Sequence, residues 1–270
     1  VLTSLKNPWI KDLRKLHQAK YRRSRQQFLV EGTHLVQEAI ATQYTLQAIC
    51  ATDRWQAEHP TLWEQLQKTT LRVEIVSEAV LSAIATTQTP DGVVAIASPP
   101  EPTSRQQIPQ LGLALESLQD PGNVGTLIRT AAAVGSDGIW LSSDSVDLTH
   151  PKVLRASAGQ WFRVSLRVTP DLTTHFSDWQ AQGCQVLATA SEGAIPYWDI
   201  DFTRPTVLVL GNEGAGLSAA TIAQATRVIS IPMANHVESL NVGVAAAIIL
   251  FEAQRQRQQS PPKQRQQSPP

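Results

Sequence analysis

The 270-residue chain is 42% hydrophobic and 17% charged, a globular balance with room for one large domain or two modest ones. Its longest apolar run, Val242–Phe251, is about half of the roughly 20 residues a membrane helix needs, and the basic N-terminus is not followed by the apolar stretch of a secretory signal. Two cysteines, Cys50 and Cys184, suggest neither a disulfide framework nor a metal site, so a cytoplasmic location is the default expectation.

The net charge is zero, but the charges are unevenly laid. Residues 1–30 hold eight Lys/Arg against one Asp, residues 31–105 four against nine acidic groups, and residues 106–254 seven against thirteen. The last sixteen residues carry four basic groups and no acid. Near the N-terminus, Lys20, Arg22, Arg23 and Arg25 could neutralise several phosphates, an attraction that weakens steeply with salt. A solvated basic helix face is the other reading.

In chain order, helix-like stretches around Lys11–Ala19, Thr33–Ala41, Thr61–Lys68 and Glu78–Ala85 alternate with the short β-rich runs Phe28–Val30, Leu46–Ala51, Leu71–Val76 and Val93–Ala97. This alternation predicts a small α/β domain over residues 1–97. Ser98–Gln110, with four prolines and no apolar periodicity, reads as a linker. Beyond it come six strand candidates, Leu111–Leu118, Gly138–Ser142, Phe162–Val168, Gln185–Ala190, Thr206–Leu210 and Arg227–Ile231. Helical stretches separate several of them, as in a mostly parallel sheet covered on both faces, and the domain is expected over residues 111–254. Residues 255–270 contain the repeat RQRQQSPP/KQRQQSPP and are expected to be a disordered basic tail.

Three motifs in the second region bear on chemistry. In LQDPGNVGTLIRTAAAVG, Leu118–Gly135, a strand is expected to end at Leu118 or Gln119, with a helix running on to a glycine stop. Val124, Leu127, Ile128, Ala131 and Val134 fall on one helical face. Arg129 points nearly opposite, among Gly122, Gly125, Ala132 and Ala133, a face stripped of long side chains. Either a subunit interface or a ligand fits there. In TVLVLGNEGAGLS, an apolar strand enters a loop holding Gly211, Gly214 and Gly216 around Asn212 and Glu213. Glycines at a strand's C-terminal end permit positive φ and close approach to a ligand, though a tight turn explains them equally. In ISIPMANHVESLNVGVAAAIILFEAQ, a strand stops at Pro232 and a buried helix begins near Leu240, with Ser239 placed to cap it. Asn241 adds a second polar group in its first turn.

Taken in this order, DPGNVGTLIRTA, LVLGNEGAGLS and IPM…ESLNV…ILFE resemble the SpoU/TrmH branch of the SPOUT methyltransferases. The opening KYRRSRQQFLVEGTHLVQEA is similar to the substrate-binding domain that precedes it in many relatives. The resemblance implies an α/β fold with a trefoil knot, which periodicity and composition do not reveal. It implies S-adenosylmethionine as cofactor, held around Thr189, Ala190 and Ser191, Gly211, Asn212, Gly214, Ile231, Met233, Ser239 and Leu240. It also implies catalytic roles for Asn123, Arg129, Glu213, Ser239 and Asn241. Lys152 and Arg155 are candidates for holding RNA phosphates, with a surface role as the alternative. A homodimer sharing its site across the interface would account for the bare face around Arg129.

The reaction implied is methyl transfer to an RNA ribose 2′-hydroxyl. Arg129 is expected to be essential, either as a base or as a clamp on the target phosphate and forming alkoxide. The separate N-terminal domain favours rRNA as substrate. The competing readings are a tRNA 2′-O-methyltransferase and a non-catalytic RNA-binding ribosome assembly factor. No Gly-rich fingerprint follows the first strand of the second region, which argues against a Rossmann-type enzyme.

Overall fold

A computed structural model describes residues 1–100, 108–190 and 195–259. In chain order its elements are α1 (Pro8–Lys15), α2 (Ala19–Arg25), β1 (Phe28–Glu31), α3 (Thr33–Ala41), β2 (Leu46–Ala51), α4 (Asp53–Glu58), α5 (Pro60–Thr69), β3 (Arg72–Ile75), α6 (Glu78–Ile84) and β4 (Val93–Ala97). There follow β5 (Leu111–Leu115), α7 (Pro121–Ala133), β6 (Gly138–Ser142), α8 (Pro151–Ala156), β7 (Leu166–Thr169), α9 (Thr173–Ala181), β8 (Gln185–Thr189), β9 (Ile195–Pro196), β10 (Thr206–Leu210), α10 (Ala219–Gln224), β11 (Arg227–Ser230) and α11 (Val242–Gln259). They form two compact units, neither contiguous in sequence. The first takes the described residues of Val1–Arg105 together with Leu118–Ala132 and Ser145–Val164. The second takes those of Gln106–Ser117, Ala133–Asp144 and the chain from Ser165 onward.

In the first unit a four-stranded sheet runs in the order β1-β4-β2-β3, with β2 and β3 parallel and the other pairs antiparallel. Every residue of the central strand β4, VVAIA, is buried. The core gathers Ile10, Leu13 and Leu16 of the first helix and its end, Val80, Leu81 and Ile84 of α6, and Leu29, Val94 and Ile96 of the sheet. The helices start where a side chain takes an orphan amide. Asn7 accepts from Trp9 N–H at 2.9 Å, with Pro8 at the first helical position, and Ser77 accepts from Val80 N–H at 3.3 Å.

The same unit holds α8 and the turn after it. Gly159 has φ +79°, and a Cβ there would lie 2.4 Å from Glu38 Cγ, so only glycine lets the chain pass. Gln160–Phe162 then form a 3-10 turn. Trp161 packs against Phe28 with tilted rings and centroids 5.0 Å apart, and Phe162 packs against Tyr44 in the same way at the same distance. This aromatic cluster corrects the strand expected over Phe162–Val168, which shortens to β7.

In the second unit seven strands, all parallel, run in the order β7-β6-β5-β10-β8-β11-β9. The central strands β5 (LGLAL) and β10 (TVLVL) are buried throughout, as strands covered on both faces must be. One core face combines Ala114, Val186, Val207 and Val209 with Phe176 and Trp179 of α9. The six expected strands all occur, and the short β9 is an addition.

α11 corrects the expected tail, because it runs on to Gln259. Its polar end is anchored. Gln256 accepts from Phe202 N–H at 2.9 Å and donates to Ile200 O at 3.0 Å, and Arg257 Nη2 donates to Gln110 O and Arg204 O, both at 2.7 Å. Repeated composition hid these partners. Residues 260–270 lie outside the described residues.

Candidate active site

In the second unit, the carboxyl ends of parallel strands β5, β10, β8 and β11 carry the glycine loop and most of the expected cofactor residues. Such strand ends are where open parallel sheets bind ligands. Thr189 Oγ donates to Val209 O at 3.0 Å, and Ala190 N–H to Ile229 O at 2.9 Å, tying the end of β8 to both neighbours. Ser191 lies outside the described residues. After β10, Asn212 and Gly216 exchange backbone hydrogen bonds of 3.0 and 2.9 Å. Asn212 Oδ1 accepts from Gly214 and Ala215 N–H at 2.9 and 3.0 Å, while its Nδ2 donates to Ser117 O at 2.8 Å.

The loop glycines differ in their reasons. A Cβ on Gly211 would lie 2.3 Å from Gly216 C, so Gly211 is required by the loop's own closure. Gly216 has φ +71°, and Gly214 is open, with its nearest neighbour 3.6 Å from a built Cβ. Only Gly216 therefore answers to the expectation of positive φ. Exposed backbone at Gly214 and Gly216 stands with half-buried Ile231, Met233 and Leu240 in the same unit. A set that offers both polar backbone and apolar side chains suits a ligand with a flat apolar ring and polar edges, so these residues fit S-adenosylmethionine.

Glu213, Ser239 and Asn241 belong to this unit and are exposed. The cap of α11 corrects the expected one. Asn241, not Ser239, accepts from Gly243 N–H at 2.9 Å, because the helix begins at Val242 rather than near Leu240. Asn241 thus has a structural task, whatever else it does.

Asn123 and Arg129 lie on α7 in the first unit. The apolar face read from the sequence is buried, from Val124 to Val134. Arg129 is exposed, with no ion pair among the described residues. The bare face around it has a partial explanation within the unit. A Cβ on Gly125 would lie 2.4 Å from Ala156 Cβ and 2.7 Å from Val153 O, so Gly125 is small because α8 crosses it. Ala133 remains exposed.

Among the phosphate candidates, Lys20 and Arg23 are exposed and without ion pairs among the described residues, whereas Arg22 must be corrected. Its side chain is 2% exposed. Nε and Nη2 donate to Asp147 Oδ2 at 3.1 and 2.8 Å, Nε also to Thr149 Oγ at 3.2 Å, and Nη1 to Leu16 O and His17 O at 3.0 and 2.9 Å. No phosphate can reach it. Arg25 pairs with Asp12 at 3.0 Å, and Arg155 with the buried Glu31 at 3.4 Å. Lys152 meets Asp120 at 3.5 Å across a half-exposed gap, a contact of small weight.

Two partners of this set escaped sequence reading. Burial alone would raise the Asp147 carboxyl, but hydrogen bonds from Thr149 and the Arg22 charge outweigh it and hold the group below the usual range. Burial, with Arg22 next, pushes His150 down, which suits the Nδ1 that accepts from Lys152 N–H at 3.1 Å to start α8.

Comparison with known proteins agrees with this architecture. Residues 110–251 match the SpoU rRNA Methylase family, and residues 7–95 the MRM3-like substrate binding domain. The chain is 44% identical over 262 residues to a Synechocystis protein named as an uncharacterized tRNA/rRNA methyltransferase, covering 95% of this chain and 94% of that one. It is 34% identical to the 23S rRNA (guanosine(2553)-2′-O)-methyltransferase of Bacillus subtilis, covering 93% and 97%. The AdoMet-bound rRNA methyltransferase of Sinorhizobium meliloti superposes with a TM-score of 0.82 at 35% identity, covering 94% and 97%. A parallel α/β unit with a glycine loop at its carboxyl edge, preceded by a small substrate-binding region, defines an RNA methyltransferase. The chain belongs to the SpoU rRNA methylase family.

Proposed function

We propose that this protein transfers the methyl group of S-adenosylmethionine to a ribose 2′-hydroxyl of rRNA. One observation carries the rRNA reading: over nearly its full length the chain is similar to a relative named for that reaction on 23S rRNA. On this reading residues 1–97 present RNA, 98–110 link, and 111–254 carry methyl transfer, with the trefoil knot of the family in the last. The reaction takes place where rRNA is made, in the cytoplasm.

The cofactor supplies an electrophilic methyl on a cationic sulfur. The protein's part is to hold and orient the acceptor and to take one proton. Thr189, Ala190, Gly211, Asn212, Gly214, Ile231, Met233, Ser239 and Leu240 hold the cofactor, mainly through backbone. Arg129 grips the phosphate beside the target ribose with its planar fork and stabilises the forming alkoxide. Asn123, Glu213, Ser239 and Asn241 take the remaining catalytic roles, with Glu213 or the phosphate receiving the proton. Lys20, Arg23 and Lys152 supply phosphate contacts.

A homodimer is part of the proposal. On α11, Val244 and Phe251 are 48% and 49% exposed, and seven residues apart they share a face. Exposed apolar side chains in such a stripe favour burial against a second copy.

Mapping 2′-O-methylation across the rRNA and tRNA of a deletion strain tests the function. Loss of one rRNA methyl, restored by the wild-type gene and not by Arg129→Ala, is expected. A methyl lost from tRNA alone would move the substrate to tRNA, and full restoration by Arg129→Ala would remove Arg129 from the active site. Purified Arg129→Ala should keep its S-adenosylmethionine affinity while losing methyl transfer. Arg129→Lys keeps a charge but loses the planar fork, so a clamp predicts low activity at every pH, whereas a base predicts activity that rises as the amine deprotonates.

A further inference from the structure

We infer that Glu116, a residue outside all three motifs' expected catalytic set, is a positioning residue that clasps the glycine loop shut for cofactor binding; this inference rests on the proposed function. Glu116 is the first residue beyond β5, and its N–H donates to Leu210 O at 2.9 Å, which sets it beside the last residue of β10. The loop leaves from that point. At its far end Ser218 N–H donates to Glu116 Oε2 at 2.8 Å, and the hydroxyls of Ser218 and Thr221 donate to Oε1 at 2.9 and 2.6 Å. One carboxylate thus takes three donors, two of them hydroxyls and one the backbone at the end of the loop.

The adjacent residue holds the near end. Ser117 O accepts from Asn212 Nδ2 at 2.8 Å. Ser117 adopts φ +55°, a costly conformation for a residue with a side chain. It is held there by its N–H, which donates to Ser142 Oγ at 2.8 Å, and by its hydroxyl, which bonds Asp144. The left-handed turn lets consecutive residues face the two ends of one loop, Ser117 at Asn212 and Glu116 at Ser218.

Between these two ties, the loop closes on itself through the Asn212–Gly216 pair and leaves Gly214 open. A loop whose backbone must present fixed hydrogen-bonding groups to a ligand binds more tightly when it is ordered in advance. Glu116 touches neither ligand nor reacting atoms in this account. It acts through Ser218 and Thr221. Gln at this position keeps one oxygen to accept and offers an amide that the hydroxyls can accept from, so it should rescue much of the function. Ala keeps nothing.

The test uses the full chain with Glu116→Ala, Glu116→Gln, Ser218→Ala and the Glu116→Ala/Ser218→Ala pair. Titration calorimetry with S-adenosylmethionine, RNA binding, steady-state kinetics and amide exchange at residues 214–218 are read together. Glu116→Ala should weaken cofactor affinity at least tenfold and raise its KM more than it lowers kcat, with RNA affinity within twofold of wild type. The paired variant should be no more than twofold weaker than Glu116→Ala, because both changes cut the same tie. Glu116→Gln should stay within about threefold of wild type. Cofactor affinity within twofold of wild type in Glu116→Ala would overturn the inference, as would equal loss of RNA and cofactor binding, which marks general destabilisation. Should wild type bind no S-adenosylmethionine, the proposed function fails, and amide exchange alone judges the clasp: faster exchange of Ala215 and Ser218 in Glu116→Ala upholds it, and unchanged exchange overturns it.

Discussion

Replacing Arg22 by alanine should destabilise the first unit far more than any other change in the basic cluster. The guanidinium is 2% exposed and makes five hydrogen bonds, two to Asp147, one to Thr149 and two to the carbonyls that end α1. Truncation leaves a mostly buried carboxylate without its cation, a loss of about 3–5 kcal/mol when the pair is fully enclosed. Asp147 keeps a 15% exposed edge through which water can partly compensate, so the lower end, about 3 kcal/mol, is expected. With an m-value near 2 kcal/mol per M of urea, the unfolding midpoint should fall by roughly 1.5 M. Tryptophan fluorescence can follow the transition, since Trp161 lies in the same unit and donates to Leu148 O at 3.0 Å. Arg22→Lys keeps the charge but not the fork, and should fall between wild type and alanine. A midpoint shift for Arg22→Ala no larger than that of the exposed Arg23→Ala would refute the buried-lock reading.

Three further outcomes are expected. Replacing Lys20 and Arg23 together by alanine should flatten the log–log salt dependence of RNA binding by about 1.4–1.8 units of slope, while Arg22→Ala changes affinity without changing the slope; filter binding across salt concentrations checks both. Because the folded-state values of Asp147 and His150 both lie below their ordinary ones, the stability they contribute is full above the unfolded values. It should be lost on acidification, first through His150 below about pH 6.5 and then through Asp147 below about pH 4, as urea midpoints at stepped pH would register. Gly125→Ala forces its Cβ to 2.4 Å from Ala156 and 2.7 Å from a backbone oxygen of α8, so thermal or urea unfolding should show a loss of about 1–3 kcal/mol, where Gly214→Ala shows little.

How far the sequence discloses this molecule depends on the range of the interaction concerned. Apolar runs such as VVAIA of β4 and TVLVL of β10 mark strands because a strand buried on both faces needs nothing but apolar residues. The three motifs, with Arg129 on an exposed helix position and Gly211 after a strand, are legible for the same local reason. What stays hidden is pairing at a distance. Arg22 looks like its neighbours in a basic run, and only its partner 125 residues away separates it from them. The cap of α11 turns on a two-residue difference in where the helix starts, and both Ser239 and Asn241 are good caps. Glu116 follows an apolar strand like any loop residue, and its three donors lie 102 and 105 residues on.

The first unit joins features that the sequence keeps apart. Three ion pairs connect its N-terminal part with residues 145–164: Arg22 with Asp147, Glu31 with Arg155 and Glu38 with Arg163, the last through Nε and Nη2 on one oxygen at 3.0 and 2.8 Å. The arginine comes from the N-terminal side in the first pair and from the later segment in the other two. The aromatic rings of Phe28 and Tyr44 against Trp161 and Phe162 add packing that does not depend on salt. Through α8, this seam reaches Gly125 on α7, four residues from Arg129. The exposed cations Lys20 and Arg23 and the proposed clamp Arg129 are thus carried by one compact body, so that the proposed phosphate contacts at α2 and the proposed grip on the target ribose share a frame. Orientation of an acceptor depends on such a frame more than on any one contact, since a misplacement of about 1 Å far from the reacting atoms can cost two orders of magnitude in rate.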